Sequence, residues 1–594
     1  MRTRRWAAVG AATVLSAALL VAGGAARKAD RADASVASPG AKDVIVHLFE
    51  WPWASIANEC TSVLGPKGFG GVQVSPPQEH VVLPGQGYPW WQDYQPVSYQ
   101  LVTRRGDRAA FASMVSTCHA AGVKIYVDAV VNHMAGGGST GTGSAGSTYS
   151  HYAYPSVPYG NDDFHHCGRN GNDDIVNYSD RWEVQNCELV DLSDLKTESS
   201  YVRGELDGYL NDLVSLGVDG FRVDAAKHIP ATDMQAIVAG VNNNPYVFQE
   251  VIEGGSGEPT PEEYTGIGDV TEFRYGDVVG AAFRDGSLSN LNNLASSMRL
   301  SSGDAVAFID NHDTQRNGRA TLTYKSGTTY ALAEAFMIAW PYGVPQVMSS
   351  FAFSSSDQGP PAAGNGTTNQ VDCANGWVCE HRWRTTENMV ALRNAAAGAA
   401  VTNWWSNGSN EIAFGRGSNA FVAFNRSGST VSQTFQTSLA AGSYCDVMSG
   451  DVANGTCTGT AYTVNGSGQV SLNVPANGVV ALHVGARGTG GTGGSCTSTT
   501  ISFAENATTT WGQNVFVVGN TAALGNWDPA NAVALSSASY PVWTGSATLP
   551  AGTDVQYKYI KKQGSTVVWE SDPNRARTTP STSPCTATWS DTWR

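Results

Sequence analysis

The chain has 594 residues and a formal charge of −15 at pH 7, from 36 basic and 51 acidic side chains. Such a surface repels phosphate backbones and anionic bilayers, so nucleic acid and membranes are excluded as partners and small or neutral ligands remain. With 41% hydrophobic and 15% charged residues, and 66 glycines, the composition is that of a multidomain globular protein with long ordered loops.

The first segment reads as a secretion signal over residues 1–34. Arg2, Arg4 and Arg5 precede an apolar run from Trp6 to Ala22, and the small-residue stretches 24–26 and 32–34 both suit cleavage. The run is short and Ala-rich, which argues against a retained membrane anchor. The expected location is extracellular. The ten cysteines fit that compartment. Taken as sequence neighbours they pair 60–118, 167–187, 373–379, 445–457 and 496–585, which keeps every bridge inside one segment. No Cys-x-x-Cys pair occurs, which argues against a zinc or redox centre.

From residue 43 to about 350, short β-branched or aromatic runs alternate with helix-like segments such as 107–121 and 199–216. The runs are 43–51, 71–77, 124–133, 220–228, 246–251, 307–313 and 345–350, with a weaker one at 269–276. Eight strand–helix units predict a (β/α)8 barrel spanning 43–398, whose active site lies at the C-terminal ends of its strands. The connection after the third strand, about 134–195, is Gly-, Asn- and Asp-rich and too long for a plain loop, so it predicts a functional insertion or small domain. Beyond residue 398 short strands with Gly/Ser turns predict a β-sandwich over 399–484. A Gly/Thr linker at 485–495 and a second, aromatic β-domain at 496–594 follow.

Three carboxylates fall at the ends of candidate barrel strands: Asp224, Glu250 and Asp313. Cleaving a glycosidic bond takes one carboxylate as nucleophile and one carboxylic acid to protonate the leaving oxygen. Like-charged neighbours and burial hold that acid's proton near neutral pH. In "GFRVDAAKH" (220–228) strand alternation puts Arg222 on the same face as Asp224. Taken alone, that pair is equally a structural ion pair. His133, at a fourth strand end, and His312, beside Asp313, point to a site that hydrogen-bonds hydroxyl groups.

The segments "DAVVNH" (128–133), "GFRVDAAKH" (220–228), "FQEV" (248–251) and "FIDNHD" (308–313) resemble, in order and spacing, the four signature segments of the α-amylase family. With "GYPWWQDYQPVSY" (87–99) and "RWEVQNCELVDLSDL" (181–195), residues 43–484 resemble its animal-like branch. The resemblance implies a retaining endo-hydrolase of α-1,4-glucans, with Asp224 as nucleophile, Glu250 as general acid/base and Asp313 stabilising the distorted sugar. It implies that Arg222 orients Asp224, that His133 and His312 hold the sugar being cleaved, and that Lys227 and His228 contact the next one. Trp90, Trp91, Tyr94 and Gln95 form a stacking wall in this reading. The insertion corresponds to the family's small domain, tied to the barrel by calcium. Its implied ligands are the side chains of Asn132 and Asp194 and the carbonyls of Gln185 and His228, with Asp191 a competing choice. Animal members hold chloride with two arginines and an asparagine. Here those positions are Arg222, Asn311 and Gln346, so the second arginine is missing and chloride is not expected to be required.

The last block resembles family 20 starch-binding modules. There Trp527, Trp569, Lys558 and Asn574 would form one glucan site, and Trp511 and Tyr540 a second, while Trp543 packs in the core. Starch and its granules are the expected partners, and a monomer is expected. The rival readings are an exo-acting maltogenic hydrolase or a transglycosylase on the same fold, and, from another class, a glucan-binding protein without catalysis. The three retained carboxylates argue against the last.

Overall fold

The structure is a computed structural model, and it describes residues 40–136, 140–490, 496, 498–580 and 585–594. The secretion signal read at 1–34 lies outside these residues, as does the linker from 491 to 495. Among the described residues no helix is long and apolar enough to cross a membrane.

Eight parallel strands close into a barrel: β1 (Ile45–Leu48), β2 (Gly71–Val74), β3 (Lys124–Ala129), β4 (Gly220–Val223), β5 (Tyr246–Gln249), β6 (Asp269–Glu272), β7 (Ala305–Ala307) and β8 (Val344–Ser349). All eight fall on or beside the sequence runs, including the weak one at 269–276. Strand β7 is the most displaced, since it ends at Ala307 and leaves all of "FIDNHD" in the loop that follows. Strands β1, β2, β4, β5 and β7 are buried on both faces, as a parallel sheet wrapped by helices requires. The helix Arg108–Ala120 shows how the wrapping is encoded. Asp107 caps it by accepting from Ala110 N at 2.9 Å, and Phe111, Met114, Val115 and Cys118 face inward at helical spacing.

Between β3 and the helix Ser200–Ser215 the chain makes the insertion. His133–Gly136 pairs antiparallel with Leu192–Asp194, so both ends of the insertion are stitched together beside the barrel mouth. After the barrel, Val401–Ser406, Glu411–Arg416, Ala420–Asn425 and Gly478–His483 form an antiparallel sheet. It packs on the fully buried stretch Tyr330–Ala339, through Phe336 against Phe414 and Phe424. The final β-domain has two antiparallel-rich sheets around its own core of Ile501, Phe503, Val517, Tyr557 and Trp589. Its strand Ser498–Asn506 alternates exposed and buried residues, unlike the barrel strands.

All five disulfides join sequence neighbours: Cys60–Cys118, Cys167–Cys187, Cys373–Cys379, Cys445–Cys457 and Cys496–Cys585. One expectation changes. The Gly/Thr stretch was expected to be free from 485, but Thr489–Gly490 pairs with Thr456–Cys457 and Arg487 bonds the Tyr444 hydroxyl. Backbone pairing therefore holds this stretch to the preceding β-domain as far as Gly490.

Behind the β7 loop lies a group of buried acids. Asp310 accepts from Tyr330 (2.8 Å) and Gln315 (3.1 Å), and Glu380 accepts from Ser350 N (2.7 Å). Glu334 is fully buried, and its carboxyl meets the hydroxyl of Tyr330, which is already bonded to Asp310. Burial, reinforced by Asp310 and Glu380, pushes the Glu334 carboxyl well above its usual 4.5. Above pH 4.5 the unfolded chain therefore loses a proton that folded Glu334 keeps, and stability falls as pH rises. The slope is about 1.4 kcal/mol per pH unit until the folded-state value is reached. Glu334→Gln is expected to raise Tm over the parent by a margin that widens from pH 5 to pH 8. A margin independent of pH would show that Glu334 is ionised in the fold.

Candidate active site

Arg222 stands at the centre of the barrel mouth. In β4 it lies level with Asp128 of β3, and its side chain is 3% exposed as a residue. Its Nη1 donates to Asp128 Oδ1 at 2.6 Å and to Asp224 Oδ1 at 2.7 Å, while Nη2 lies 2.8 Å from Glu250 Oε1. One guanidinium fork thus meets three carboxylates, and all four groups are buried. Asp128 is also held on its other oxygen by Tyr94 Oη (2.9 Å) and Gln73 Nε2 (3.1 Å), and Gln346 Nε2 supports Gln73 at 2.6 Å. Gln346, at the missing-arginine position, therefore reaches the cluster through Gln73 and Asp128.

After Asp224 the chain bends sharply. Ala225 takes φ +49°, a left-handed conformation that costs a non-glycine residue roughly 1–3 kcal/mol. The bend aims its N–H at Glu250 Oε2 (3.0 Å) and returns Lys227 and His228 to the mouth. It thereby couples the two catalytic candidates through the backbone as well as through Arg222.

A cleft of about 530 Å³ opens above this cluster, lined by Trp90, Trp91, Tyr94, Gln95, His133, Asp224, Lys227, His228, Glu250, His312 and Asp313. Every substrate-contact residue expected from the sequence lines it except Arg222, which lies beneath. The aromatic loop is pinned from below, where Arg105 bonds Asp93, and from the side, where Trp90 Nε1 donates to Ser356 O at 2.8 Å. Tyr94 stacks on His312 with ring centroids 5.1 Å apart. His133 differs from expectation. Its Nε2 bonds the Tyr94 carbonyl (3.0 Å) and its Nδ1 meets the Asn132 amide (3.4 Å), so both ring nitrogens already have partners within the protein. Cleft-lining residues with no sequence signal are Tyr178, Leu189, Val190, Leu192 and Ile252. They come from the insertion and the loop after β5, where neither periodicity nor charge marks them. Asp128 did carry a signal, since it opens "DAVVNH" on the strand beside Arg222.

Burial governs the electrostatics. It pushes Asp224 and Glu250 upward, with Arg222 opposing in both; Glu250 is raised further by the charge of Asp224. Both carboxyls therefore hold a proton more readily than free carboxylates, and the charge on Asp224 favours the protonated form of Glu250. Asp313 rises to about 7 through burial and then Glu250. Burial lowers His133 and His228 to about 4 and drops His312 well below its usual value, so all three are neutral hydrogen-bonding groups at pH 7.

Below the cleft, the residues expected as metal ligands fall into two pairs. The Asn132 side chain hydrogen-bonds Asp194, and Leu195 N bonds Asn132 O at 2.9 Å. His228 Nδ1 meets Val184 O at 2.9 Å, which puts the backbone at Gln185 beside His228. Asp194 is buried and also accepts from His165 Nδ1 (2.7 Å), a neighbour the sequence did not suggest. Asp191 instead groups with Asp174 and Glu188.

In the final β-domain Trp527 and Trp569 lie 6.5 Å apart, tilted by 36°. Asn574 is exposed and bonds Gln556. Lys558 is buried, its ammonium bonded to Ser571 O (2.9 Å) and Asp572 (2.8 Å), so it shapes the loop after Trp569. Trp511 is 99% exposed and Tyr540 51%, together on one hollow of about 610 Å³, whereas Trp543 is buried with its Nε1 on Ala507 O.

A closed barrel with acids at its strand ends, carrying two further β-domains, defines a carbohydrate-active hydrolase. Residues 72–252 match the α-amylase catalytic domain, 404–485 the α-amylase C-terminal all-beta domain, and 498–589 the starch binding domain. An α-amylase of Streptomyces violaceus is 50% identical over 96% of this chain and 97% of its own. That of Tribolium castaneum is 51% identical over 75% of this chain and 95% of its own. The crystal structure of α-amylase I from Eisenia fetida superposes with a TM-score of 0.71 at 42% identity, over 75% of this chain and 97% of that one. The chain belongs to the α-amylase family of glycoside hydrolases.

Gln73 is the bridge between Gln346 and Asp128. Replacing it by leucine leaves two buried polar groups short of a partner, at a cost of about 1–3 kcal/mol each at most. Gln73→Leu is expected to lower Tm by several degrees and kcat more than KM, because Arg222 loses its fixed backing. An unchanged kcat would show that Asp128 needs no such support.

Proposed function

We propose that this protein is a secreted endo-acting α-amylase that hydrolyses α-1,4-glucosidic bonds with retention of configuration. The observation carrying this reading is the single guanidinium of Arg222 shared by Asp224 and Glu250. It keeps the two carboxylates close neighbours, as a retaining mechanism requires (roughly 5–5.5 Å apart). In the first step the Asp224 carboxylate attacks the anomeric carbon as the glycosidic C–O bond breaks, and Glu250 gives its proton to the leaving oxygen. In the second, Glu250 takes a proton from water, which displaces Asp224 and restores both groups. Asp313 and neutral His312 hydrogen-bond the distorted sugar, and Lys227 and His228 Nε2 face the next one. The aromatic loop Trp90–Tyr94 stacks on the glucose rings. Burial, reinforced by the charge of Asp224, raises the Glu250 carboxyl, which suits it to the acid role.

The donor set below the cleft suits calcium. Asn132, Asp194 and the carbonyls of Gln185 and His228 are all hard oxygen ligands, one of them a buried carboxylate. A calcium ion there would hold the insertion to the barrel. Secretion is supported by the arginine-led apolar N-terminus and the five disulfides. The final β-domain would hold starch on its exposed aromatics, at Trp527 and Trp569 and at Trp511 and Tyr540, with Asn574 on the hydroxyls.

Asp224→Asn and Glu250→Gln are each expected to cut reducing-sugar release from soluble starch by roughly 10²–10⁴-fold or more, with Tm retained. A variant keeping more than a few per cent of activity would refute its assigned role, and products of a single chain length from the outset would favour the exo-acting alternative. Activity is expected to be independent of chloride, because Gln346 supplies no positive charge to an anion. Saturable activation by chloride in acetate buffer would overturn this, whereas Gln346→Arg should introduce it. Removing residues 491–594 is expected to spare soluble oligosaccharides and to weaken action on raw granules, since tethering raises local substrate concentration. Equal granule rates after truncation would count against a starch-holding role.

A further inference from the structure

We infer a second divalent-cation site in the insertion, formed by Asp174, Glu188 and Asp191 and best suited to calcium. One carboxylate oxygen from each of the three lies within 4.8 Å of the others. Three carboxylates so close repel one another unless a proton or a cation intervenes. The decisive feature is Glu188, which is fully buried. Its Oε1 accepts from His151 Nε2 at 2.9 Å and its carboxylate also meets the Tyr152 hydroxyl, whereas Oε2 lies buried without a close donor. A buried carboxylate oxygen without a donor, set among two more carboxylates, is the arrangement a hard cation stabilises.

The surrounding backbone is rigid enough to preform the site. Asp174 and Glu188 face each other across a single parallel β-bridge, with Glu188 N on Asp173 O (2.8 Å) and Ile175 N on Glu188 O (2.9 Å). Cys187, beside Glu188, is bridged to Cys167. Asp191 N closes the group by donating to Asp174 Oδ1 at 2.7 Å, and Asn172 steadies the other oxygen of Asp174. Asp191 is exposed and Asp174 half-buried, so an ion enters from solvent and keeps water on its outer side. All-oxygen, carboxylate-rich ligation with an open hydrated face favours calcium over softer metals.

The site bears on the cleft. Val190 and Asp191 both adopt positive φ, +48° and +64°, a conformation unfavourable for a β-branched residue such as Val190. Leu189, Val190 and Leu192 line the substrate cleft. An ion gripping Glu188 and Asp191 on either side of Val190 holds that wall in its strained shape. This site shares no ligand with the calcium proposed at Asn132 and Asp194.

Calorimetric titration of the chelator-stripped full-length protein with calcium alone separates the two sites. Two equivalents are expected for the parent, the second with a Kd of roughly 10⁻⁴–10⁻³ M, the range of extracellular calcium modules. Asp174→Asn/Asp191→Asn should retain only the tighter equivalent, and asparagine tolerates the left-handed backbone at 191. Asp194→Asn should retain only the weaker one. A parent that binds one equivalent, or a double variant that still binds two, overturns the inference. The double variant is also expected to raise KM for long soluble α-glucans several-fold with kcat held, and an unchanged KM would remove the link to the cleft wall. The stoichiometry stands whatever the substrate proves to be, so its failure and that of the α-glucan reading are distinguishable.

Discussion

Arg222 places a full positive charge where water is nearly excluded, and Asp128, Asp224 and Glu250 share it at 2.6 to 2.8 Å. An isolated charge at that depth would cost several kcal/mol, and three isolated carboxylates more. Together they leave a net negative cluster, in which burial raises both Asp224 and Glu250 against the opposing charge of Arg222. The surroundings answer to this cluster. Tyr94 and Gln73 brace Asp128, Gln346 braces Gln73, and the bent backbone at Ala225 braces Glu250. Each support comes from a different barrel strand or loop, so the site exists only when the barrel is closed.

The barrel also explains why polar groups gather where they do. Its strands are buried on both faces, so a charged side chain is tolerated only near the open end or beside a partner. The insertion covers that end. Its two edges pair with each other through His133–Gly136 and Leu192–Asp194, and its residues 189, 190 and 192 form one side of the cleft. The substrate surface is thus shared between a rigid barrel and a domain held by a disulfide, hydrogen bonds and clustered acidic ligands.

A second group of acids, Asp310, Glu334 and Glu380, shows the opposite solution to burial. Burial outweighs the nearby charge of Arg316, and hydrogen bonds satisfy only part of their oxygens. Neutrality is then kept by protons, and Asp310 rises to about 8 and Glu380 to about 7. This group backs the loop bearing His312 and Asp313, so the third carboxylate of the site rests on a protonated interior.

The sequence by itself determined the eight strands, the insertion, the two β-domains and the five bridges. These follow from local chemistry: β-branched runs, turn residues, cysteine order and motifs whose spacing is set within one strand. It also placed Asp224, Glu250, Asp313 and most of the cleft residues, because strand ends in such a barrel converge on one mouth. Only the tertiary structure decided which groups share a proton or a cation. Whether Asp191 or Asp194 meets Asn132 depends on a pairing between strands nearly sixty residues apart, and strand register separated them. That His133 turns its nitrogens inward, that Lys558 is spent on its own loop, and that Thr489–Gly490 is docked depend on partners distant in the chain. Side-chain direction and pairing of charge are properties of packing, and packing has no period that a single sequence displays.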